Sequence, residues 1–255
     1  MKEITELPAW VVMWVVAGSL GVLFKSMVFV REGGRERVDP RFFLWVGTDV
    51  SAFRLDRAIM PARSIGLWSP LAFLLAGFPA LMLAGGGENV LLTGWLGLVA
   101  MLCLMHFGGF DLLAAFWTRL GYPVERIMQA PWLAASLAEF WGQRWNRAFS
   151  DWARGHVFRP LVRKWGTGAG TFAGFLASGL AHELVISFPA GAGWGLPTLY
   201  FLFQGGGVLV QRKWKRLRRP TLTLAAVLLP APLLFHPPFI REVFAPMITF
   251  LTSSN

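Results

Sequence analysis

What most constrains this chain is a succession of apolar runs, several close to twenty residues long, parted by short segments rich in arginine. A run of about 20 apolar residues crosses a hydrocarbon core of ~30 Å as a helix, the one open-ended form that satisfies its own backbone groups there. The runs fall near residues 8–30, 65–84, 90–117, 168–188, 194–210, 221–236 and 239–251. The expected fold is all-α: a polytopic transmembrane helical protein with six or seven spans plus interfacial amphipathic helices. The last run is either a full crossing or an interfacial segment. Composition agrees, because 15% of the residues are charged where a soluble domain carries about a quarter.

A net charge of +10 raises the question of nucleic acid. The basic residues, however, sit between the apolar runs, as cytoplasmic loops require, and build no basic face on a soluble fold. No nucleic-acid partner is expected. Alternating the spans puts the N-terminus outside and leaves only Lys2 and Arg241 of the 24 basic residues on that side. Glu3 and Glu6 ahead of the first run lack the basic start of a cleaved signal peptide, so that run reads as a retained span. Cys103 is the lone cysteine and has no intrachain partner. Neither a repeat nor a linker divides residues 1–255, which read as a single integral membrane domain with a core motif region at 132–188.

The first long loop carries Arg31, Arg35, Arg37, Arg41, Arg54, Arg57 and Arg63, with the apolar 42–46 stretch expected at the interface. Lys25, inside the first span, is expected to snorkel toward the inner surface. Gly108 and Gly109 mark a kink in the third span.

Two strings do not read as plain membrane packing. The first runs over residues 136–158. Ser136 and Glu139 form an S-x-x-E capping box. Leu137, Trp141, Trp145, Phe149 and Trp152 make an apolar stripe, and Glu139, Gln143, Arg147 and Asp151 line another face. The spacing predicts one amphipathic helix lying in the cytoplasmic interface. Asn146 falls on neither stripe, so it is either a solvated amide or a polar group aimed into a cavity between helices.

The second string places His182 and Glu183 inside the 168–188 run. A charge at the middle of a span costs roughly 2.5–3.5 kcal/mol on insertion scales, so such residues tend to mark function. Gly170, Gly174, Ser178 and His182 share one face, either for close helix packing or as a narrow lane ending at the imidazole. The functional reading makes His182 a general base that takes a proton from a hydroxyl. The structural one gives His182 an interhelical hydrogen bond and pairs Glu183 with an arginine.

His106, with Asp111 beside it, either lines the same cavity or packs at the kink. His156 is expected to be solvated and His236 interfacial. Metal-ligand spacing, a G-x-S-x-G elbow, a P-loop and a dinucleotide fingerprint are all missing, so no metal or bound cofactor is expected.

Together the strings resemble the wax-synthase-like branch of the membrane-bound O-acyltransferases. The residues that carry this are Ser136-Leu137, Phe140-Trp141-Gly142, Arg144-Trp145-Asn146, Ser150-Asp151, Val157-Phe158 and Pro160, then Phe175, Ser178-Gly179-Leu180 and His182-Glu183. The resemblance covers about 50 residues. It implies acyl transfer from acyl-CoA, as co-substrate, to a hydroxyl inside the membrane. His182 and Asn146 are then the catalytic pair, with Asn146 orienting the acceptor or stabilising an oxyanion. Trp141, Trp145, Ser178 and Glu183 become substrate-binding. Arg144, Arg147, Arg154, Arg159, Arg163 and Lys164 suit the phosphates of CoA on electrostatic grounds alone.

The departure from the family is length, since its members carry more spans ahead of the FWG-x-RWN string. A minimal version, a homo-oligomer and a smaller site are all open. The expected function is membrane-embedded ester synthesis from acyl-CoA and a lipophilic alcohol. A sterol, terpenoid or glycan hydroxyl, a non-catalytic scaffold, and a proton-relay transporter built on His182 and Glu183 are the alternatives. The Ala, Gly and Arg usage points to a bacterial cell membrane, and a eukaryotic source would mean the endoplasmic reticulum.

Overall fold

Apolar runs with no charge to solvate fold into helices, and in the computed structural model they do so in a bundle. The structure describes residues 7–33, 37–56 and 65–253. Lys2, Glu3, Glu6, Arg35, Arg57 and Arg63 lie outside the described residues. The main helices are α1 (Ala9–Glu32), α2 (Trp68–Gly85), α3 (Val90–Arg119), α4 (residues 137–144), α5 (Arg147–Ala190), α6 (Leu196–Lys213), α7 (Pro220–Leu234) and α8 (Pro237–Thr252). Among the described residues strand pairing amounts to an isolated bridge between Val38 and Arg54.

The start of α3 is set by Asn89, whose Oδ1 accepts the Leu91 and Leu92 amides at 3.0 and 3.1 Å. A π-helical stretch, Leu102–Gly109, occupies the region where the sequence placed a kink. In α5 the break falls at Gly166, whose φ of 81° suits a residue without Cβ.

Helices approach where side chains are small. A Cβ built at Gly97 of α3 would stand 2.4 Å from Ile248 of α8. The main core joins Met13 of α1, Leu81 of α2, Ala100 of α3, Ile186 of α5, Phe201 of α6 and Ile248 of α8. Outward, Val22, Leu75, Leu83 and Leu229 are exposed, a surface suited to acyl chains and a liability in water.

Four helices, α1, α2, α3 and α5, are long and apolar enough to cross a bilayer, and α7 with α8 makes a fifth if the bent pair is one span. The sequence counted six or seven. The two final runs form one pair bent by 67°. Helix α6 returns antiparallel along α5, with Gln204 and Gln211 buried against protein, so it falls short on composition.

Three local expectations, for Lys25, His156 and His236, are corrected and one is refined. Within the 42–46 stretch Phe42 and Trp45 pack inward with Phe53 and Trp117, while Phe43, Leu44 and Val46 stay exposed. Lys25 does not snorkel outward: its Nζ donates to the Trp45 and Gly47 carbonyls and rests over the Phe42 ring. His156 is half-buried, stacked on Trp152, with Nδ1 3.1 Å from the Trp152 carbonyl. His236 is fully buried.

Candidate active site

Residues 136–158 are not one helix. Ser136 Oγ accepts the Glu139 amide at 3.2 Å, and Glu139 Oε2 returns to the Ala135 amide at 2.9 Å, so the expected cap forms. The helix then widens through Phe140–Arg144 and ends, and Asn146 takes a left-handed φ of 41°. Asparagine tolerates that region better than most residues. Its Oδ1 accepts the Phe149 amide at 3.3 Å and caps α5. The break is held from outside: Gln129 donates its amide to the Arg144 carbonyl at 2.8 Å, and Arg147 donates to Ile127 at 3.1 Å. No periodicity in the string announces this break, because pairing with residues 127–129 is a tertiary contact.

The arginines beside the break are spoken for. Arg144 binds Glu139 at 2.6 Å and donates to the Gln129 and Ala130 carbonyls. That hydrogen bond, with the Ala135 amide, holds the Glu139 carboxyl below the usual carboxylate range against a smaller opposing effect of burial. Arg147 pairs with Glu125 and lies 3.9 Å from Asp151. Arg159 is exposed.

On α5, His182 Nδ1 lies 2.7 Å from the Ser178 carbonyl, one turn back. A carbonyl only accepts, so Nδ1 carries the proton and Nε2 keeps its lone pair. Among the described residues Nε2 has no hydrogen-bond partner. The ring packs on Phe201 at 4.5 Å between centroids. Phe201 in turn meets Trp141 at 5.4 Å, and the Trp141 indole N–H donates to Gln204 at 3.2 Å. The FWG-x-RWN string is thereby coupled to His182 through α6.

Glu183 points elsewhere. Its Oε1 accepts the Gly195 amide at 3.0 Å, the Thr198 amide at 3.0 Å and the Thr198 hydroxyl at 2.8 Å, closing the N-terminus of α6. The expected arginine partner is replaced by a helix end, and no hydrogen bond joins Glu183 to His182 among the described residues. His236 Nδ1 accepts the Phe239 amide at 3.2 Å, so its Nε2 bears the proton beside Ser187, 3.4 Å away.

A cavity of about 270 Å³ opens between α4, α5 and α6. Trp141, Gly142 and Gln143 form one side, Gly174, Phe175 and Ser178 another, with Arg154 and Arg212 also on the wall. Ser178 is on its wall, one helical turn before His182 and with its carbonyl against the His182 ring. Neither Asn146 nor His106 is on this wall. His106 stacks on Trp145 at 6.3 Å, and Asp111 is buried against Arg126 at 3.2 Å. Of the residues expected to bind substrate, Trp141 and Ser178 reach the cavity and Trp145, Glu183, Arg144, Arg147 and Arg159 do not. Arg212, which the sequence reading passed over as part of a topogenic basic run, does.

Helices apolar on the outside, a half-buried in-span imidazole whose Nε2 has no hydrogen-bond partner among the described residues, and an adjoining cavity with a polar-aromatic wall describe an integral membrane protein. Residues 124–203 match the model of the Membrane bound O-acyl transferase family. A stretch of 148 residues is 34% identical to the probable long-chain-alcohol O-fatty-acyltransferase 9 of Arabidopsis thaliana, covering 48% of this chain and 42% of that protein. The probable long-chain-alcohol O-fatty-acyltransferase 7 of the same plant is 34% identical over 146 residues, with the same coverage. The long-chain-alcohol O-fatty-acyltransferase of Simmondsia chinensis is 30% identical over 143 residues, covering 48% and 40%. The chain thus matches about two fifths of the length of these relatives. The central segment, with His182 and Asn146 in it, is thus similar to the Membrane bound O-acyl transferase family and to plant long-chain-alcohol O-fatty-acyltransferases, the resemblance that the two strings carry.

Proposed function

We propose that this protein transfers a fatty acyl group from acyl-CoA to the hydroxyl of a lipophilic alcohol within the membrane. The observation that carries this is His182, whose Nδ1–H is held by the carbonyl of the cavity-lining Ser178, leaving Nε2 as a base. Nε2 takes the alcohol proton as the oxygen attacks the thioester carbonyl. The tetrahedral intermediate then expels the CoA thiolate, breaking C–S, and the imidazolium returns the proton to sulfur. Asn146 is the second member of the pair. With Oδ1 committed to the cap, its Nδ2 has no acceptor among the described residues and is available to an oxyanion or acceptor oxygen.

Trp141 and Ser178 contact substrate in the cavity, and no cofactor beyond the acyl-CoA co-substrate is needed. Trp145, Arg144, Arg147 and Glu183 act one step back, by holding the break and the N-terminus of α6. The names of the plant relatives favour a long-chain alcohol over a sterol, terpenoid or glycan acceptor. The relay alternative lacks its link, since Glu183 is turned into the end of α6. The protein is integral to a membrane. We place the N-terminus outside in a bacterial cell membrane on the distribution of basic residues and on composition, and a homo-oligomer is readable from the native mass.

The test is ester formation by purified protein in nanodiscs, with a labelled long-chain acyl-CoA and a panel of alcohols, for wild type and for His182→Ala. Ester made by wild type and lost in a folded variant is the expected result. Background turnover in both, across a broad panel, would replace catalysis with a scaffold role.

A further inference from the structure

Two short segments stand at one end of the molecule, residues 159–165 directly after Phe158 and residues 213–219 directly after Arg212, two residues that line one cavity. Basic residues and tryptophan make up most of both, and neither holds an acidic residue. Arg163, Lys164, Lys213, Lys215, Arg216 and Arg219 are exposed, and their side chains make no hydrogen bond or ion pair among the described residues. Trp165 and Trp214 stand beside them, 61% and 45% exposed. Each ring carries a neighbouring ammonium, Lys164 Nζ at 4.6 Å from the first centroid and Lys213 Nζ at 5.2 Å from the second.

Both segments are built rather than loose. A straight helix would set residues 162 and 170 about 12 Å apart along its axis. A Cβ built at Gly170 would instead stand 2.4 Å from Val162 Cγ2. The chain doubles back at Gly166, so residues 159–165 lie against the end of the α5 span and do not prolong it. The 213–219 turn is clamped from within. Buried Gln211 donates its Nε2–H to the Leu217 carbonyl at 3.2 Å, and Arg218 donates to the Gln211 carbonyl at 3.0 Å. Topology asks only for positive charge on one side of the bilayer. It has no need of a fixed turn, of exposed tryptophans or of ammonium groups set against them.

We propose that these two segments form a binding surface for anionic phospholipid headgroups. Exposed cations that the protein leaves without a counter-charge favour a negative partner, and their place beside the apolar α5 and α7 runs puts that partner in the headgroup layer. Tryptophan rings settle at that same depth, where neither a nucleic acid nor a dissolved anion resides. The guanidinium forks of Arg163, Arg216 and Arg219 suit the paired oxygens of a phosphodiester, with the ammonium groups as point charges beside them. This surface does not depend on the acyltransferase reading, and residues 213–219 lie beyond the 124–203 family match.

The test titrates the purified full chain, in micelles of a neutral detergent, with fluorescent phosphatidylglycerol and with phosphatidylcholine of the same acyl chains. Tighter binding of the anionic lipid is expected, weakening as salt rises. A variant carrying Lys213→Gln, Lys215→Gln and Arg216→Gln together should bind phosphatidylglycerol about fivefold more weakly per charge removed, with phosphatidylcholine unchanged. Arg163→Gln with Lys164→Gln, on the other segment, should act in the same direction, and Lys213→Arg with Lys215→Arg should keep the wild-type affinity. Inorganic phosphate and a short single-stranded oligonucleotide serve as competitors. Equal affinity of wild type for the two lipids, or phosphatidylglycerol affinity unchanged in both glutamine variants, overturns the proposal. So does displacement of the lipid by equimolar inorganic phosphate, which would make this a phosphate site, or by the oligonucleotide, which would make it a nucleic-acid surface.

Discussion

An imidazole inside a helix has two neutral tautomers, and the group it faces chooses between them. For His182 that group is the carbonyl of Ser178, which leaves the lone pair on Nε2. His182→Gln keeps a polar side chain of similar reach but no proton acceptor of useful basicity. It should lower kcat by roughly 10²–10⁴ with the donor KM nearly unchanged, read from initial rates. Asn146 combines a left-handed backbone with a cap, and two substitutions separate them. Asn146→Ala should lose about 1–2 kcal/mol of stability through the lost cap and the strained φ. Asn146→Gly keeps the backbone and should melt close to wild type. If it also loses activity, the amide acts on substrate; if activity survives, the residue is a cap and nothing more. Both side chains stood out in the sequence, as an ionisable group in a span and a polar residue off both stripes. The Asn146 conformation was not, because it depends on residues 127–129 pairing with the break.

Helices α5 and α6 act as a unit. Glu183 satisfies two backbone amides and a hydroxyl at the start of α6. Glu183→Ala should therefore cost about 1–3 kcal/mol in thermal unfolding in detergent, through amides left without an acceptor. Gly179→Val should separate the two helices, since a Cβ there meets the Thr198 Cα at 2.7 Å. At α4 the Glu139–Arg144 pair makes a pH prediction. The folded carboxyl titrates below its unfolded value of about 4.3, so its contribution is present above that pH and is lost as pH falls through the lower folded value. Glu139→Gln should melt below wild type near pH 7, and the gap should close as pH falls through the lowered folded value. A gap that persists at the acid end would mean the pair contributes through shape and not charge. The sequence led to the cap at Ser136 because capping is local, and missed the true partner of Glu183, which stands on another helix.

Across the whole molecule, the bent α7–α8 pair decides the topology. Its 67° bend leaves the second helix still advancing. Fifteen residues cover about 22 Å, and sixteen more at that angle add roughly 9 Å, together close to the ~30 Å core. One broken span is expected, with Arg219 and Ser253 on opposite faces. Single cysteines at those two positions should label from opposite sides of sealed vesicles, and labelling from the same side would make the pair re-entrant.

Hydropathy and spacing by themselves determined that this chain is a helical membrane protein and roughly where its apolar helices lie, and they singled out residues 136–186 as more than membrane packing. Those are consequences of solvent and of local backbone geometry, which each stretch of sequence carries alone. Only the tertiary structure decided that residues 136–158 break at Asn146, that Glu183 closes α6, that His236 and Phe42 are buried, and which arginines face the cavity. Each of those depends on what a distant segment places beside the residue, and no periodicity within a segment records its neighbour.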